Sequence, residues 1–226
     1  MKILCTICAR KGSKGLKNKN IKDLGGKPLV NHTIDQAINS KIFDYIAVST
    51  DSKIIFNIAK KKGLFCPKLR KKNLSGDKIS KIMVIRDLTN QIEKYVKFRF
   101  DIICDLDVTS PLRKIKDIKR CINMIDKKCN NVITGNISKK NPYFNMVENK
   151  NNKIQLVKKG KVINSRQKAP KVYDMNASIY IWKRDILFSK SPLFNNKTKL
   201  YEMPYSRSVD IDDITDFKIV QKLYEK

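Results

Sequence analysis

A basic segment with two glycines, A-R-K-G-S-K-G-L-K-N-K-N at positions 9–20, directly follows the first apolar run of the chain. The glycines allow tight backbone turns in which N–H groups face an anion, and Arg10, Lys14 and Lys19 bring positive charge to the same place. The segment lacks both the P-loop spacing G-x-x-x-x-G-K-[ST] and the dinucleotide-binding spacing G-x-G-x-x-G. It therefore predicts a phosphate cradle of another kind, and an ordinary basic surface loop is the alternative.

A polar segment, D-L-D-V-T-S-P-L-R at positions 105–113, follows a predicted central strand. Open α/β sheets bind their ligands at the carboxyl ends of the strands. Thr109 and Ser110 carry hydroxyls that can hydrogen-bond a nucleobase or a sugar. The same two residues are also common caps in strand-to-helix turns, so a binding role and a structural role both remain open here.

Two carboxylates, Asp210 and Asp212, stand two residues apart near the end of the chain. In a strand, such residues point to the same side, while Val209 and Ile211 would enter the core. Paired carboxylates with no basic residue between them suit a hard divalent cation such as Mg²⁺, the usual partner of a triphosphate. Acids that simply face solvent are the alternative.

Strand and helix patterns alternate along most of the chain, which predicts an α/β fold with a mainly parallel sheet covered on both faces. A length of 226 residues suits one domain, and we treat positions 1–226 as such. The predicted strands cover 2–8, 45–48, 100–104, 132–134, 177–182 and 209–212. The predicted helices cover 30–42, 54–59, 82–95, 115–125 and 217–223.

The alternation breaks at positions 138–171, where the sequence becomes polar and rich in Lys and Asn. Short strand-like pieces recur inside it, at 143–147, 154–157 and 162–163. We interpret this segment as a β-rich arm inserted into the sheet domain. Its apolar pieces are not obviously covered by the sheet, which favours a homodimer that buries them.

The formal net charge of +28 is extreme and would by itself point to nucleic acid. However, 40 of the 49 basic residues are lysines, and they are scattered through predicted helix ends and turns rather than gathered with aromatics on one surface. We therefore interpret them as solvated faces and do not expect a nucleic-acid partner.

The remaining composition points to the cytoplasm. The six cysteines mostly fall inside apolar runs, as buried free thiols of an intracellular protein do. No apolar run reaches the roughly 18 residues that a membrane span needs, and the first residues form a short β-like run rather than a secretory signal. We expect no membrane partner.

The three polar segments together resemble the CMP-sialic acid synthetase family of cytidylyltransferases, with CMP-Kdo synthetase as a more distant relative. The family pattern A-R-x-x-S-K-G-x-x-x-K-N after the first strand is matched over positions 9–20. The resemblance runs almost end to end. It continues at positions 26–29, 48–51, 69–70, 77, 109–113, 166–167, 176–180 and 210–212.

The resemblance implies a Rossmann-like nucleotidyltransferase that transfers CMP from CTP to a 2-keto sugar acid and releases pyrophosphate. It assigns the CTP phosphates to Arg10, Ser13, Lys14, Lys19 and Asn20, and Mg²⁺ to Asp210 and Asp212. It places Arg70 and Asp77 near the nucleotide, and Asn176 and Tyr180 near the sugar. The family dimerises through an arm like the segment 138–171, from which Arg166, beside Gln167, would face the carboxylate of the acid.

Two departures from the family pattern concern the substrates. Where the family commonly has Gln, this chain has Asp107, which can accept from the cytosine amine but cannot donate as an amide does. Phe144 stands where sialate enzymes tend to carry Lys, so the acid is open among legionaminate, pseudaminate and other relatives of N-acetylneuraminate. The alternatives are another sugar acid such as Kdo, or a nucleic-acid-binding protein on the same scaffold.

Overall fold

A seven-stranded sheet forms the centre of the protein, as seen in a computed structural model that describes residues 1–12, 15–76, 78–158, 163 and 165–225, with only the backbone of Arg166. The strands are β1 (Ile3–Ala9), β2 (Asp23–Leu24), β3 (Lys27–Pro28), β4 (Tyr45–Thr50), β5 (Ile102–Leu106), β6 (Asn131–Ile137), β7 (Val147–Lys150), β8 (Lys153–Leu156), β9 (Tyr173–Met175), β10 (Ile179–Lys183) and β11 (Thr198–Glu202). The helices are α1 (Leu29–Ser40), α2 (Lys53–Lys61), α3 (Lys81–Val96), α4 (Ile115–Asn123), α5 (Arg184–Leu187) and α6 (Ile214–Tyr224).

The sheet has the strand order β11-β6-β10-β5-β1-β4, and β9 pairs with β6 beside this path. Strands β4, β1 and β5 pair in parallel, as do β6 and β11, whereas β10 runs antiparallel between β5 and β6. The prediction of a mainly parallel α/β sheet is therefore confirmed. Because the chain leaves β1 once toward β4 and later returns on its other side at β5, the carboxyl ends of β1 and β5 form a topological switch point, where such sheets bind ligands.

Helices cover both faces of the sheet, which explains why β1 is apolar along nearly its whole length. Ile3, Cys5 and Ile7 of β1 belong to a core cluster with residues of α1, α2, α4 and α6. Leu4 faces the other side, in a cluster with residues of α3, α5 and β10. No helix in the described part of the chain is long and apolar enough to cross a membrane.

The predicted strand at 209–212 is wrong. This segment is extended but belongs to no strand, and it is tied to the β5 side by a backbone hydrogen bond from Ile211 N to Thr109 O of 2.9 Å. The alternation of side chains nevertheless holds, because Ile211 is buried while Asp210 and Asp212 both line one cavity.

The described residues of segment 138–171 contain one hairpin, β7–β8, which forms its own two-stranded sheet. The predicted strand at 154–157 corresponds to β8. Of the piece at 143–147, only Val147 joins a strand, β7; the residues before it form a turn in which the Asn141 carbonyl accepts from the backbone N–H groups of residues 144, 145 and 146. Val162, in the third predicted piece, lies outside the described residues. Strand β11 and helix α5 were not predicted, since neither has a clear apolar period.

Candidate functional site

A cavity of about 330 Å³ opens at the carboxyl ends of β1 and β5, the switch point of the sheet. Its lining contains eight of the residues that the sequence had singled out: Arg10, Lys19, Asn20, Arg70, Asp107, Thr109, Asp210 and Asp212. Segments that are far apart in the chain therefore meet at one edge of the sheet.

The basic segment at positions 9–20, after β1, lies directly against the segment that carries Asp210 and Asp212. The Lys19 Nζ donates to the carbonyl of Ile211 and lies 3.2 Å from Asp212 Oδ1. A Cβ on Gly15 would sit 2.1 Å from the carbonyl oxygen of Asp212, so only glycine allows this approach. Asn20 Nδ2 donates to the carbonyl of Arg10 at 2.9 Å and so fixes the turn from inside.

Arg70 forms a second cationic wall of the cavity and is only 5% exposed at its side chain. Its backbone N–H donates to Thr50 O at the end of β4 (2.7 Å), and its Nε donates to Ser75 Oγ (3.3 Å). Nη2 lies 3.8 Å from Asp51 Oδ1. These bonds hold a guanidinium at the carboxyl end of β4, beside the basic segment.

The floor of the cavity holds an ion cluster that the sequence did not reveal. Lys81 Nζ, at the start of α3, lies 2.7 Å from Asp105 Oδ2 and 2.5 Å from Asp107 Oδ2. Asp105 is fully buried and also accepts from Thr6 Oγ1 at 2.8 Å. Asp107 accepts at Oδ1 from both the N–H and the hydroxyl of Thr109, at 3.1 and 3.0 Å. We call these three charged residues the Lys81–Asp105–Asp107 cluster.

The protonation of this cluster follows from its contacts. Burial acts to raise the pKa of Asp107, but the charge and hydrogen bond of Lys81, helped by Thr109, lower it to about 2. Burial likewise acts to lower the pKa of Lys81, but Asp105 and Asp107 raise it above its usual range. Lys81 is therefore an ammonium and Asp107 a carboxylate at neutral pH.

Asp210 and Asp212 lie in different environments within the same cavity. Burial, with the charge of Asp107 as the next cause, raises the pKa of Asp210 to about 6. The Oδ1 atom of Asp210 is buried and has no hydrogen-bond partner among the described residues. Asp212 is 82% exposed at its side chain. A buried carboxylate oxygen without a donor, next to a second carboxylate, fits a divalent cation that takes its other ligands from phosphates and water.

Comparison with known proteins places this chain in a family. The family model described as "Cytidylyltransferase" matches residues 4–226. The chain belongs to the cytidylyltransferase family. It is 44% identical over 225 residues to a post-translational flagellin modification protein B of Campylobacter coli, covering 99% of this chain and 95% of that protein. It is also 44% identical over 222 residues to a CMP-N,N'-diacetyllegionaminic acid synthase of Campylobacter jejuni, covering 98% and 94% of the two chains.

The fold of this cytidylyltransferase also matches a solved structure of CMP:2-keto-3-deoxy-manno-octonic acid synthetase complexed with CTP. The TM-score is 0.70, and the match covers 100% of this chain and 99% of the other, at 17% sequence identity. At that identity the likeness concerns the fold alone.

Several predicted site residues of the cytidylyltransferase do not line the cavity. Ser110 and Asn176 are buried in the turn behind it, where Ser110 Oγ donates to the Asn176 carbonyl at 3.3 Å and Asn176 Oδ1 accepts from Thr134 Oγ1 at 2.6 Å. Tyr180 is half-buried on β10, opposite Asp105, with its ring 5.7 Å from that of Trp182. Gln167 is exposed in a short helical turn.

Ser13, Lys14 and Asp77 lie outside the described residues, as does the side chain of Arg166. Their assigned roles remain predictions.

Arg113, from the polar segment after β5, supports the cavity floor from below. It is 2% exposed, and it donates to Ser178 O (2.7 Å), Thr33 Oγ1 (2.6 Å) and Asp107 O (2.5 Å). Burial lowers its pKa to about 10. Arg113 therefore joins α1, β10 and the turn that carries Asp107.

Proposed function

We propose that this cytidylyltransferase transfers CMP from CTP to a nonulosonic 2-keto sugar acid of the legionaminic type and releases pyrophosphate. The observation that carries the proposal is the 44% identity, over nearly the full length of both chains, to a CMP-N,N'-diacetyllegionaminic acid synthase. The cavity supports it, because cations from the basic segment and two carboxylates converge at the switch point of the sheet.

In the proposed reaction, the anomeric hydroxyl oxygen of the acid attacks the α-phosphorus of CTP. A new P–O bond forms between the hydroxyl oxygen and the α-phosphorus, the bond from the α-phosphorus to the oxygen that joins it to the β-phosphate breaks, and pyrophosphate leaves with that electron pair. The proton of the hydroxyl is released to water. Arg10 and Lys19 hold the triphosphate and offset the charge that develops on the leaving group, with Lys14 and Ser13 expected beside them. Orientation of the two anionic substrates accounts for much of the rate.

Asp210 and Asp212 would hold Mg²⁺. When bound, this ion screens the charge of the triphosphate and withdraws electron density from it. The orphaned Oδ1 of Asp210 supports this assignment, since a cation would compensate its burial. Arg70 holds the nucleotide from the β4 side, and Thr109 from the β5 side.

We further propose that the enzyme is a cytoplasmic homodimer. In the β7–β8 hairpin, Val147, Ile154 and Leu156 share one face by their register, and all three are exposed. An isolated two-stranded hairpin with an uncovered apolar face is marginally stable in water, so a second copy of the chain is its natural cover. Six free cysteines fit a reducing compartment, where CTP is available.

The test of the reaction is a pyrophosphate-release assay with purified protein and Mg²⁺. The panel crosses CTP, UTP, ATP and GTP with N,N'-diacetyllegionaminic, pseudaminic, N-acetylneuraminic and Kdo acids. We expect release only with a nonulosonic acid, best with the legionaminic acid, and much better with CTP than with the other nucleotides. Release with a sugar phosphate and with no keto acid would contradict the proposed substrate class.

A further inference from the structure

The cavity floor contains a hydrogen-bond donor and an acceptor fixed side by side. Lys81 and Asp107 are 2.5 Å apart at Nζ and Oδ2, and both line the cavity. An ammonium has three N–H donors; Lys81 Nζ donates to Asp107 Oδ2 and lies 2.7 Å from Asp105 Oδ2, so these contacts use at most two of them. With 31% of its side chain exposed, Lys81 keeps one donor for a ligand.

The surroundings of this pair fit a nucleobase better than a sugar acid. Together with Arg113 beneath it, the Lys81–Asp105–Asp107 cluster has two positive and two negative charges, so it offers no net attraction to the carboxylate of the acceptor. The cations Arg10 and Lys19, which attract phosphates, belong to a different segment of the lining. Leu74, Ile79 and Val84, which line the cavity from α3 and the loop before it, supply apolar walls for a flat ring.

We propose that Lys81 and Asp107 together recognise the pairing edge of cytosine. The Asp107 carboxylate accepts from the exocyclic N4 amine, and the Lys81 ammonium donates to the neighbouring N3. Lys81 thereby supplies the donor that an aspartate at position 107 lacks. This inference rests on the proposed use of CTP, and it assigns a specificity-determining role to a lysine that no motif marks.

The proposal predicts discrimination against uracil in particular. In the same position, uracil would point its O4 at the Asp107 carboxylate and its N3–H at the Lys81 ammonium, so both contacts would be repulsive. A site built to hydrogen-bond one pattern strongly rejects the analogue with the reverse pattern, because its polar groups are left unpaired. Adenine shares the amine and acceptor pattern of cytosine, so its exclusion must come from size.

The experiment compares CTP and UTP in the parent enzyme and in Lys81→Met, Asp107→Asn and Lys94→Met. Lys94 is exposed on the same helix and lines no part of this cavity, so its replacement removes the same charge elsewhere. Two quantities are measured: the ratio of kcat/KM for the two nucleotides, and the ratio of their dissociation constants by calorimetry without acceptor.

We expect Lys81→Met to lower the CTP/UTP ratio by about tenfold or more while the KM for the acid stays near that of the parent. Asp107→Asn should lower the ratio as well, because its amide can turn its NH₂ toward O4 of uracil and so raise kcat/KM for UTP. Lys94→Met should leave it unchanged. A merely structural role of the cluster would weaken both nucleotides alike and leave the ratio unmoved.

The two possible failures are distinguishable. If Lys81→Met fails to fold because Asp105 loses its ionic partner, the CTP/UTP ratio of Asp107→Asn tests the inference. If the parent turns over no nonulosonic acid, the proposed function fails, but the calorimetric ratio still tests the base-reading pair. Unchanged ratios in the folded variants, or a parent that binds UTP as tightly as CTP, would overturn the inference.

Discussion

At the scale of single residues, the carboxylate of Asp210 is held in an unfavourable state in the free enzyme. Burial and the nearby Asp107 raise its pKa to about 6, so at neutral pH the folded protein carries a buried anion that the unfolded chain exposes to water. This is a cost to stability that a bound cation can offset. This cost is consistent with the proposed role of Asp210 in holding a cation.

We predict that Asp210→Asn stabilises the ligand-free protein while it lowers turnover by orders of magnitude. Because the pKa of Asp210 is higher in the folded protein than in the unfolded chain, where it is near 4, the carboxyl does not destabilise the fold below pH 4, where it is protonated in both states. The folded state loses stability as the pH rises from 4 through 6. The gain from Asn should therefore be small at pH 4 and reach its full size, on the order of 1–2 kcal/mol, above pH 7. Thermal unfolding from pH 4 to 8 and the pyrophosphate assay measure the two effects.

Asp212→Asn is the matched control for this prediction. Asp212 is largely exposed, and an ion pair whose carboxylate is in contact with water contributes little to stability, so this variant should lose turnover without any gain in stability. If Asp210→Asn unfolded more easily than the parent at pH 8, the carboxylate would be structural.

The sequence identified cavity residues that follow a strand end or match the family pattern, and it missed Lys81, which does neither. Arg10 and Thr109 could be placed because the carboxyl ends of neighbouring parallel strands meet at one edge. Lys81 could not be placed, because nothing in the sequence distinguishes it from the other 39 lysines and its partners Asp105 and Asp107 lie on another element. Asn176 and Ser110 match the family motif as well as Thr109 does, but their side chains are buried behind the cavity. Only the packing of the folded chain reveals this.

At the scale of elements, a buried ion pair anchors the chain segment that leads to Asp210. Arg207 donates from Nε and Nη2 to the two oxygens of Asp117, at 3.0 and 2.9 Å. Asp117 is fully buried in the first turn of α4, where it also accepts from Lys114 N and from the hydroxyl of Tyr201. The pair thus ties the segment that leads to the two carboxylates onto α4.

We predict that Arg207→Met costs about 3–5 kcal/mol of unfolding free energy at pH 7, because it leaves a buried charge unpaired. Burial acts to raise the pKa of Asp117, and Arg207 overcomes this and lowers it. Without Arg207, the buried Asp117 carboxyl becomes protonated and neutral at low pH. The loss of unfolding free energy should therefore be smaller at pH 4 than at pH 7. Urea unfolding at pH 7 and pH 4 measures it.

Lys119→Met, on the exposed side of the same helix, is the control for charge and should change stability by less than about 0.5 kcal/mol. A loss for Arg207→Met that is equally small, or that does not depend on pH, would show that the pair does not anchor this segment.

The alternation of elements was predictable because strands buried on both faces read as continuous apolar runs. The antiparallel direction of β10 was not, since nothing within Ile179–Lys183 encodes which way it runs. Strand β11 is only half-buried and its apolar residues show no period, so it escaped notice. Segment 209–212 kept the predicted alternation without joining a sheet.

At the scale of the whole molecule, the exposed apolar face of the β7–β8 hairpin predicts how two copies associate. Ile154 is 68% exposed and lies opposite Asn149 on the same face as Val147 and Leu156. We predict that Ile154→Asp shifts the enzyme from dimer to monomer at micromolar concentration, since a charge at the centre of an apolar contact is costly to bury. Light scattering measures the mass.

Lys153→Glu places a negative charge on the opposite face of the hairpin, across from Lys150, and should leave the dimer intact. A parent protein that is already monomeric and fully active at that concentration would refute both the dimer and any role of Arg166 across it.

The position of β10 also constrains the order in which the protein can assemble on the ribosome. Strands β5 and β6 are synthesised well before Ile179–Lys183, the strand that lies between them, and β11 follows later still. Until β10 emerges, one edge of β5 has no paired strand, and such edges pair readily with other chains. The nascent chain is therefore most vulnerable to aggregation during synthesis of segment 138–171, and a ribosome that stalls there would release a fragment in which β5 and β6 have no strand between them.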